Sequence, residues 1–320
     1  MKVGAWFDLR NPPGWQLPWA DHYAFTLEMC EEAERVGLSS VWFSEHHGFE
    51  DGYLPQPLTF AAAARTRTIR IGTSIVIAPL RAPAQLAEEA ALVDILSGGR
   101  LDLGLGAGYR IPEYALFDAD MPSRFRTLDA RVGEIRALWA SGKVTPAPVQ
   151  ADLPIWMGYH AAKGAHRTGR NGERLLTVDP AIWSAYREGL EAGGHPLSRG
   201  IMSGAISGHV TDDPERDWPL IAPRLAYQWD SYYRYGVEGT DRPPPPPTDP
   251  EKLRANGLTH PTGKGFLVAG PEEWARQLRT YLDGVPVDTV FFVASTAGLP
   301  REATVRHIAA LGRLQALLAP

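Results

Sequence analysis

The chain has 320 residues, 44% of them hydrophobic, and a formal net charge of −5. That length holds one large domain or two ordinary ones, and an α/β barrel of about 250 residues plus insertions makes a single domain over residues 1–320 the expectation. The acidic balance argues against a nucleic-acid binder, which needs a basic face, and leaves no polybasic membrane anchor.

Val3–Phe7 reads as a first strand, and Asp8–Pro18 as a Pro-, Asn- and Gly-rich loop. The opening apolar run is too short for a secretory signal and no run approaches a membrane span, so the expected location is cytoplasmic. Trp19–Val36 is a helix stopped by Gly37. It carries the lone cysteine, Cys30, on a stripe with Tyr23, Leu27 and Ala33, the setting of a buried small hydrophobe and not of a catalytic thiol. Val41–Ser44 is a second strand, Pro57–Thr66 a short helix, and Ile69–Ile77 a third strand. A helix from Pro83, with Leu86, Ala90, Val93 and Leu96 on one face, stops at Gly98-Gly99.

Leu101–Leu105 is the fourth strand, followed by a helix over Ser123–Trp139, and Ile155–Met157 the fifth, followed by Ala161–Arg170. Leu175–Val178 and Ile182–Ala192 form the sixth pair, and Ile201–His209 and Glu215–Tyr235 the seventh. Val287–Val293 and Glu302–Leu318 close the series. Strand–helix alternation predicts parallel pairing, because parallel strands need a long crossover, and eight units predict a closed (β/α)8 TIM barrel. Gly236–Lys264 falls outside the pattern, as an insertion between strands seven and eight. Its five consecutive prolines, Pro243–Pro247, favour extended polyproline geometry. It reads as a lid or channel wall, with a mobile linker as the alternative.

Polar or glycine-rich residues cluster at the strand ends, the face that carries chemistry in such barrels. Glu45-His46-His47 follows strand two. A histidine can give or take a proton near neutral pH. Alternation along a strand turns neighbours to opposite sides, so only one of the two should face the mouth. The pair lacks the helical i, i+4 spacing of zinc peptidases, and no metal is assigned. The other inward acids are Asp8 and Asp179. Gly106, Ala107, Gly108 and Tyr109 follow strand four; the Gly-x-Gly-x-Gly run is a weak dinucleotide signal, but its glycines permit close approach of a cofactor. Gly158, Tyr159, His160, Ala161, Ala162 and Lys163 end strand five and open a helix. A helix N-terminus suits a phosphate, and a lysine in the first turn opposes the dipole unless an anion is near. Trp6, Phe7, Tyr109, Tyr159 and the insertion are expected around the mouth, with Trp229, Tyr232 and Tyr233 close by, which favours an apolar or aromatic small-molecule substrate.

Five pieces in order, VWFSEHH, IRIGTSIVIAP, Leu86–Gly99 running into Arg100-Leu101, GLGAGYR and PIWMGYHAAKGAHRTGRNGE, resemble the bacterial luciferase-like flavin monooxygenases. The resemblance implies a catalytic His46, directly after the acidic residue. It also implies a bulge with a non-proline cis peptide at Ser74–Ile75 beneath a flavin ring. It implies a phosphate site at Gly158–Lys163, and a homodimer formed through helices two and three. Ala107 stands where the luciferases proper place a phosphate-binding arginine; Arg110 either replaces it or faces solvent. The leading expectation is a monooxygenase using reduced FMN and O2, with a flavin reductase as possible partner. The alternatives are an F420-dependent hydride-transfer oxidoreductase, favoured by the missing arginine and by Lys163, and a non-catalytic flavin-binding protein.

Overall fold

The structure, a computed structural model, describes residues 1–262 and 265–319. In chain order the first half comprises β1 (Lys2–Phe7), α1 (Trp19–Arg35), β2 (Ser40–Phe43), α2 (Pro57–Ala63), β3 (Arg70–Thr73), β4 (Val76–Ile77), α3 (Pro83–Ser97), β5 (Leu101–Gly106), α4 (Ile111–Leu116) and α5 (Arg124–Ala140). It continues with β6 (Ile155–Met157), α6 (Ala162–Arg170), β7 (Arg174–Leu175), α7 (Trp183–Ala192), β8 (Met202–Ile206), β9 (Gly208–Val210), α8 (Pro214–Val237), β10 (Arg254–Ala255), β11 (Phe266–Ala269), α9 (Pro271–Tyr281), β12 (Val287–Val293) and α10 (Arg301–Leu318).

The main sheet runs β3-β2-β1-β12-β8-β7-β6-β5-β4, every pairing parallel, and the β3–β5 pairing closes it. With β3 and β4 counted as one interrupted strand, this is an eight-stranded barrel with helices between the strands. Alternation along the strands sorts two cores. Val41, Phe43, Ile155, Met157, Val290 and Phe292 turn outward to the helices. Their neighbours Trp42, Trp156 and Phe291 fill the interior, Trp42 stacking on Phe291 at 4.7 Å and meeting Trp156 edge-on at 6.1 Å. The interior is therefore packed below the strand ends, and open space is left only above it. Cys30 is fully buried among the outer-core residues.

Three expected strands differ. The third is interrupted at Ser74-Ile75, where the peptide bond is cis. The sixth is only Arg174–Leu175, because the chain after it turns toward a short 3-10 helix capped by the Asp179 side chain. The seventh splits at Ser207: β8 stays in the barrel, while β9 joins β11 and β10 in a separate parallel sheet. That sheet packs on α8 through Trp218, Ile221, Leu225, Phe266 and Val268.

Gly263 and Lys264, the end of the expected insertion, lie outside the described residues. The proline run rests along α8, where Pro244, Pro245 and Pro247 face Tyr227, Asp230 and Arg234 across a small groove. The Thr248 amide donates to Asp230 Oδ1 at 2.8 Å. The chain then returns to the barrel rim, where the Ser207 amide donates to the Pro261 carbonyl and His260 Nε2 stands 3.7 Å from Asp179 Oδ2. No described helix is long and apolar enough to cross a membrane.

Candidate active site

A cavity of about 690 Å3 opens at the strand ends, within the range of small-molecule and cofactor sites. Trp6 comes from β1, Ser44, Glu45 and His46 from the end of β2, and Ser74 and Ile75 from the break in the third strand. Gly106, Ala107, Gly108 and Tyr109 come from the end of β5, and Gly158, Tyr159, His160 and Ala161 from the turn after β6. Lys163 and Arg167 come from α6. The structure thus brings His46, the Ser74-Ile75 break, the Gly106–Tyr109 and Gly158–Ala161 turns and Lys163 to one cavity, whereas the expected inward acids Asp8 and Asp179, and Trp229, do not line it. It adds Tyr53 and Phe125 as walls, and Tyr232, expected near the mouth, is a wall as well. None of the described insertion residues lines it; α8 does so through Tyr232. Phe7 packs in the outer core instead, and Tyr233 faces the proline groove.

The third strand breaks because its neighbours leave room for Ile75 to turn inward. A Cβ built on Gly106 or Gly158 would stand 2.6 or 2.8 Å from the Ile75 side chain. Here the glycines admit a protein side chain, not only a ligand. The Ser74 amide is held by the Phe43 carbonyl at 2.7 Å, and the Ile77 amide by Glu45 Oε2 at 2.9 Å. Arg110 neither reaches the cavity nor faces solvent. Its guanidinium is buried, bonded to the His47 carbonyl and Glu238, and lies over Tyr235 and Phe49.

The two histidines part as alternation requires. His46 lines the cavity, while His47 turns away against Phe117 and bonds Glu45 Oε1 at 2.8 Å. Glu45 also accepts from Arg81 at 2.9 Å, so this acid is committed to holding the strand end. His46 Nδ1 lies 2.7 Å from Glu113 Oε1, which also accepts the His47 backbone N–H at 2.8 Å. An oxygen accepting a backbone N–H leaves Nδ1 as donor and Nε2 as the basic nitrogen. Burial holds the His46 imidazole below its ordinary pKa, with Glu113 pulling the other way, so it is neutral at pH 7. Glu113 was not found in the sequence because α4 was not recognised. The signal was present: Pro112 followed by an acid marks a helix start.

At the opposite side, α6 begins at Ala162 with an extended Ala161 before it and no side-chain cap. Gly164 N–H bonds the Ala161 carbonyl at 2.9 Å, and the Ala162 and Lys163 N–H groups have no acceptor among the described residues. Lys163 is exposed, and Arg167 stands one turn further on the same face, over the Tyr159 ring at 5.1 Å and 3.4 Å from Asp129. Two cations and a helix N-terminus suit a phosphate. Arg167 follows from Lys163 by the i, i+4 rule, which the sequence reading had not applied. Around the barrel, the interrupted third strand with Ile75 comes between β2, which precedes His46, and β6, which precedes this helix end. The residues present therefore fit a phosphate-bearing flavin or deazaflavin.

A sequence profile of the family "luciferase-like monooxygenase" matches residues 1–299. The chain is 30% identical over 172 residues to a flavin-dependent trigonelline monooxygenase, oxygenase component, of Acinetobacter baylyi, covering 52% of this chain and 44% of that protein. It is 28% identical over 294 residues to an F420-dependent glucose-6-phosphate dehydrogenase of Amycolatopsis mediterranei, covering 80% and 84%. The crystal structure of a monooxygenase from Streptomyces bottropensis superposes with a TM-score of 0.78 at 21% identity, covering 99% of both chains, a likeness of fold. The alignments span about half the length of the first curated relatives, 60% and 44%. With the family profile running over nearly the whole chain and the barrel its structural counterpart shares, the chain belongs to the luciferase-like monooxygenase family.

Proposed function

We propose that this chain is an oxidoreductase working with a reduced flavin-type cofactor, and that it is a monooxygenase using reduced FMN and O2 on a small apolar organic substrate. One observation supports this most. A single cavity is lined by a cationic helix end and by a neutral imidazole that presents Nε2 as acceptor, with Ile75 on the strand between them around the barrel. In this reading the chain acts as one catalytic barrel, with 236–262 along its flank.

Lys163, Arg167 and the first N–H groups of α6 hold the phosphate. Ile75 supports one face of the ring. Bound reduced FMN supplies the two electrons that activate O2. His46 Nε2 takes a proton from the reacting group, and Glu113 stabilises the imidazolium that results. Trp6, Tyr53, Tyr109, Phe125 and Tyr232 exclude water from the reacting face. A flavin reductase acting as partner would deliver the reduced cofactor, a reading supported by the Acinetobacter relative, which is an oxygenase component.

A second reading keeps the cavity and changes the cofactor to F420, with hydride transfer and no oxygen. Ala107 in place of a phosphate-binding arginine, and Lys163 at the helix start, favour it. Titration of the protein with FMN, photoreduced FMN and reduced F420 separates the two. Tightest binding of reduced FMN supports the first reading, and binding of F420 alone the second. Binding of none overturns both.

A further inference from the structure

Ser44 ends the second strand with 4% exposure and lines the cavity. Its oxygen accepts from Trp6 Nε1–H at 2.6 Å and from the Tyr53 hydroxyl at 3.0 Å. A serine hydroxyl has two lone pairs and one proton, and an indole N–H only donates, so Trp6 fills one lone pair. In the second bond the Tyr53 hydroxyl is the donor. The Tyr53 and Tyr232 oxygens are 3.2 Å apart. The Arg10 guanidinium, itself 1% exposed, stands 4.4 Å from the Tyr232 ring centroid. Its charge is shared with Asp51 at 3.0 Å and Asp8 at 3.4 Å; because the Tyr53 proton goes to Ser44, Tyr232 is the donor across the Tyr53–Tyr232 contact. Tyr53, accepting there, passes its own proton to Ser44. Both Ser44 lone pairs are then filled, and among the described residues no acceptor takes the Ser44 proton.

We infer that Ser44 is a hydrogen-bond donor to the bound ligand, aimed into the cavity by the pair Tyr232–Tyr53, and that the ligand presents a carbonyl-type acceptor there. A buried donor without a protein partner discriminates strongly, because a hydrocarbon in the same place leaves it unpaired. The acceptor belongs either to the ring of the cofactor or to the substrate. The inference rests on the proposed function only for what fills the cavity.

The test compares Ser44→Ala, Ser44→Cys and Ser44→Thr with the parent protein. Thr keeps the donor. Cys keeps a lone-pair atom for Trp6 and Tyr53 but donates poorly, and guards against misfolding of the Ala variant. Dissociation constants are measured for FMN, reduced FMN and F420. They are also measured for acetophenone and ethylbenzene, which differ by a carbonyl oxygen, with and without the cofactor that binds. If the cofactor carries the acceptor, its affinity falls about fivefold in the Ala and Cys variants and is kept by Thr. If the substrate carries it, cofactor affinity is unchanged, but the preference of the loaded protein for acetophenone over ethylbenzene, about fivefold, is lost in Ala and Cys and kept by Thr. A parent protein that binds no cofactor overturns the proposed function, and the free protein's ketone preference still tests Ser44. If cofactor affinity and ketone preference are the same in all four proteins, the donor role is wrong.

Discussion

His46 and Glu113 form the unit on which the chemistry turns at the scale of single residues. Removing the imidazole as His46→Ala should lower turnover about 10²-fold or more while flavin affinity stays nearly constant, as loss of a proton acceptor does. Glu113→Gln leaves a group that still accepts from the His47 amide but cannot stabilise an imidazolium. It should lower turnover too, and shift the acid limb of the pH–rate profile downward, since the carboxylate is what raises the imidazole pKa against burial. An acid limb unchanged in Glu113→Gln would mean that the limb belongs to another group. His47→Ala should act on melting temperature rather than turnover, because its ring is spent on Glu45. If His47→Ala abolishes turnover and His46→Ala does not, the roles are inverted. That only one of the two histidines faces the cavity was legible in the sequence, because alternation is a property of any strand end; that it is His46 came from the family resemblance. The partner of His46 was not, because Glu113 is 67 residues away in the chain and only closure of the barrel brings it back.

The break between β3 and β4 and the start of α6 are the two elements that shape the cofactor bed. Gly106→Ala would place a methyl 2.6 Å from Ile75. It should weaken flavin binding about tenfold by displacing the platform, at a cost of about 1–3 kcal/mol for overpacking. Ile75→Ala in the same chain should relieve the clash and recover stability, a non-additive pair; additive melting temperatures would show that Ile75 does not fill the space above Gly106. Lys163→Glu sets a like charge beside the phosphate at the helix start and should weaken binding further at low salt than at high salt. Unchanged affinity at low salt would move the phosphate elsewhere. Periodicity and strand-end composition made the barrel strands readable. The strand-seven split, β10, β11 and α9 were not read. β9, β10 and β11 form a small sheet of two- to four-residue strands, so nothing local in β9 or β10 announces it, whereas α9 carried a signal, Pro271 followed by Glu272 and Glu273. The proline run was read correctly as non-helical, yet its neighbour is the flank of α8, a contact no composition rule specifies.

At the scale of the whole molecule, two buried histidines set a limit at acid pH. His209 and His307 stack at 3.9 Å inside the fold, with both ring nitrogens of His209 and Nε2 of His307 unpaired. Asp217, Arg216 and Arg306 are the charges around them. Burial lowers the His307 pKa to about 4 and that of His209 well below its usual value. Between the unfolded value near 6.5 and these folded values the unfolded chain holds more protons, so stability falls as pH drops below about 6.5. Asp8, raised from 3.8 to about 6 by burial, acts in the opposite sense between those two values, over all but the top of that window. His209→Phe keeps the stacked ring and removes the titration. The fall in melting temperature from pH 7.5 to pH 5 should then be about 3 °C smaller; an unchanged fall would assign the acid sensitivity to other groups. The surface makes a separate demand. α3 buries Leu86, Ala90 and Val93 against the barrel but leaves Leu92 and Leu96 at 52% and 63% exposure. A helix apolar on both sides is expected to be covered on both. The cover we expect is a second copy of this chain, meeting α2 and α3 with the same elements across a two-fold axis, since small alanine-rich faces allow close approach of helices. Leu92→Glu with Leu96→Glu should then convert a dimer to a folded monomer in sedimentation velocity at micromolar concentration, with the cavity and its cofactor affinity intact because neither residue reaches the strand ends. A parent protein that already sediments as a monomer would leave the two leucines as ordinary surface and remove the dimer from the account.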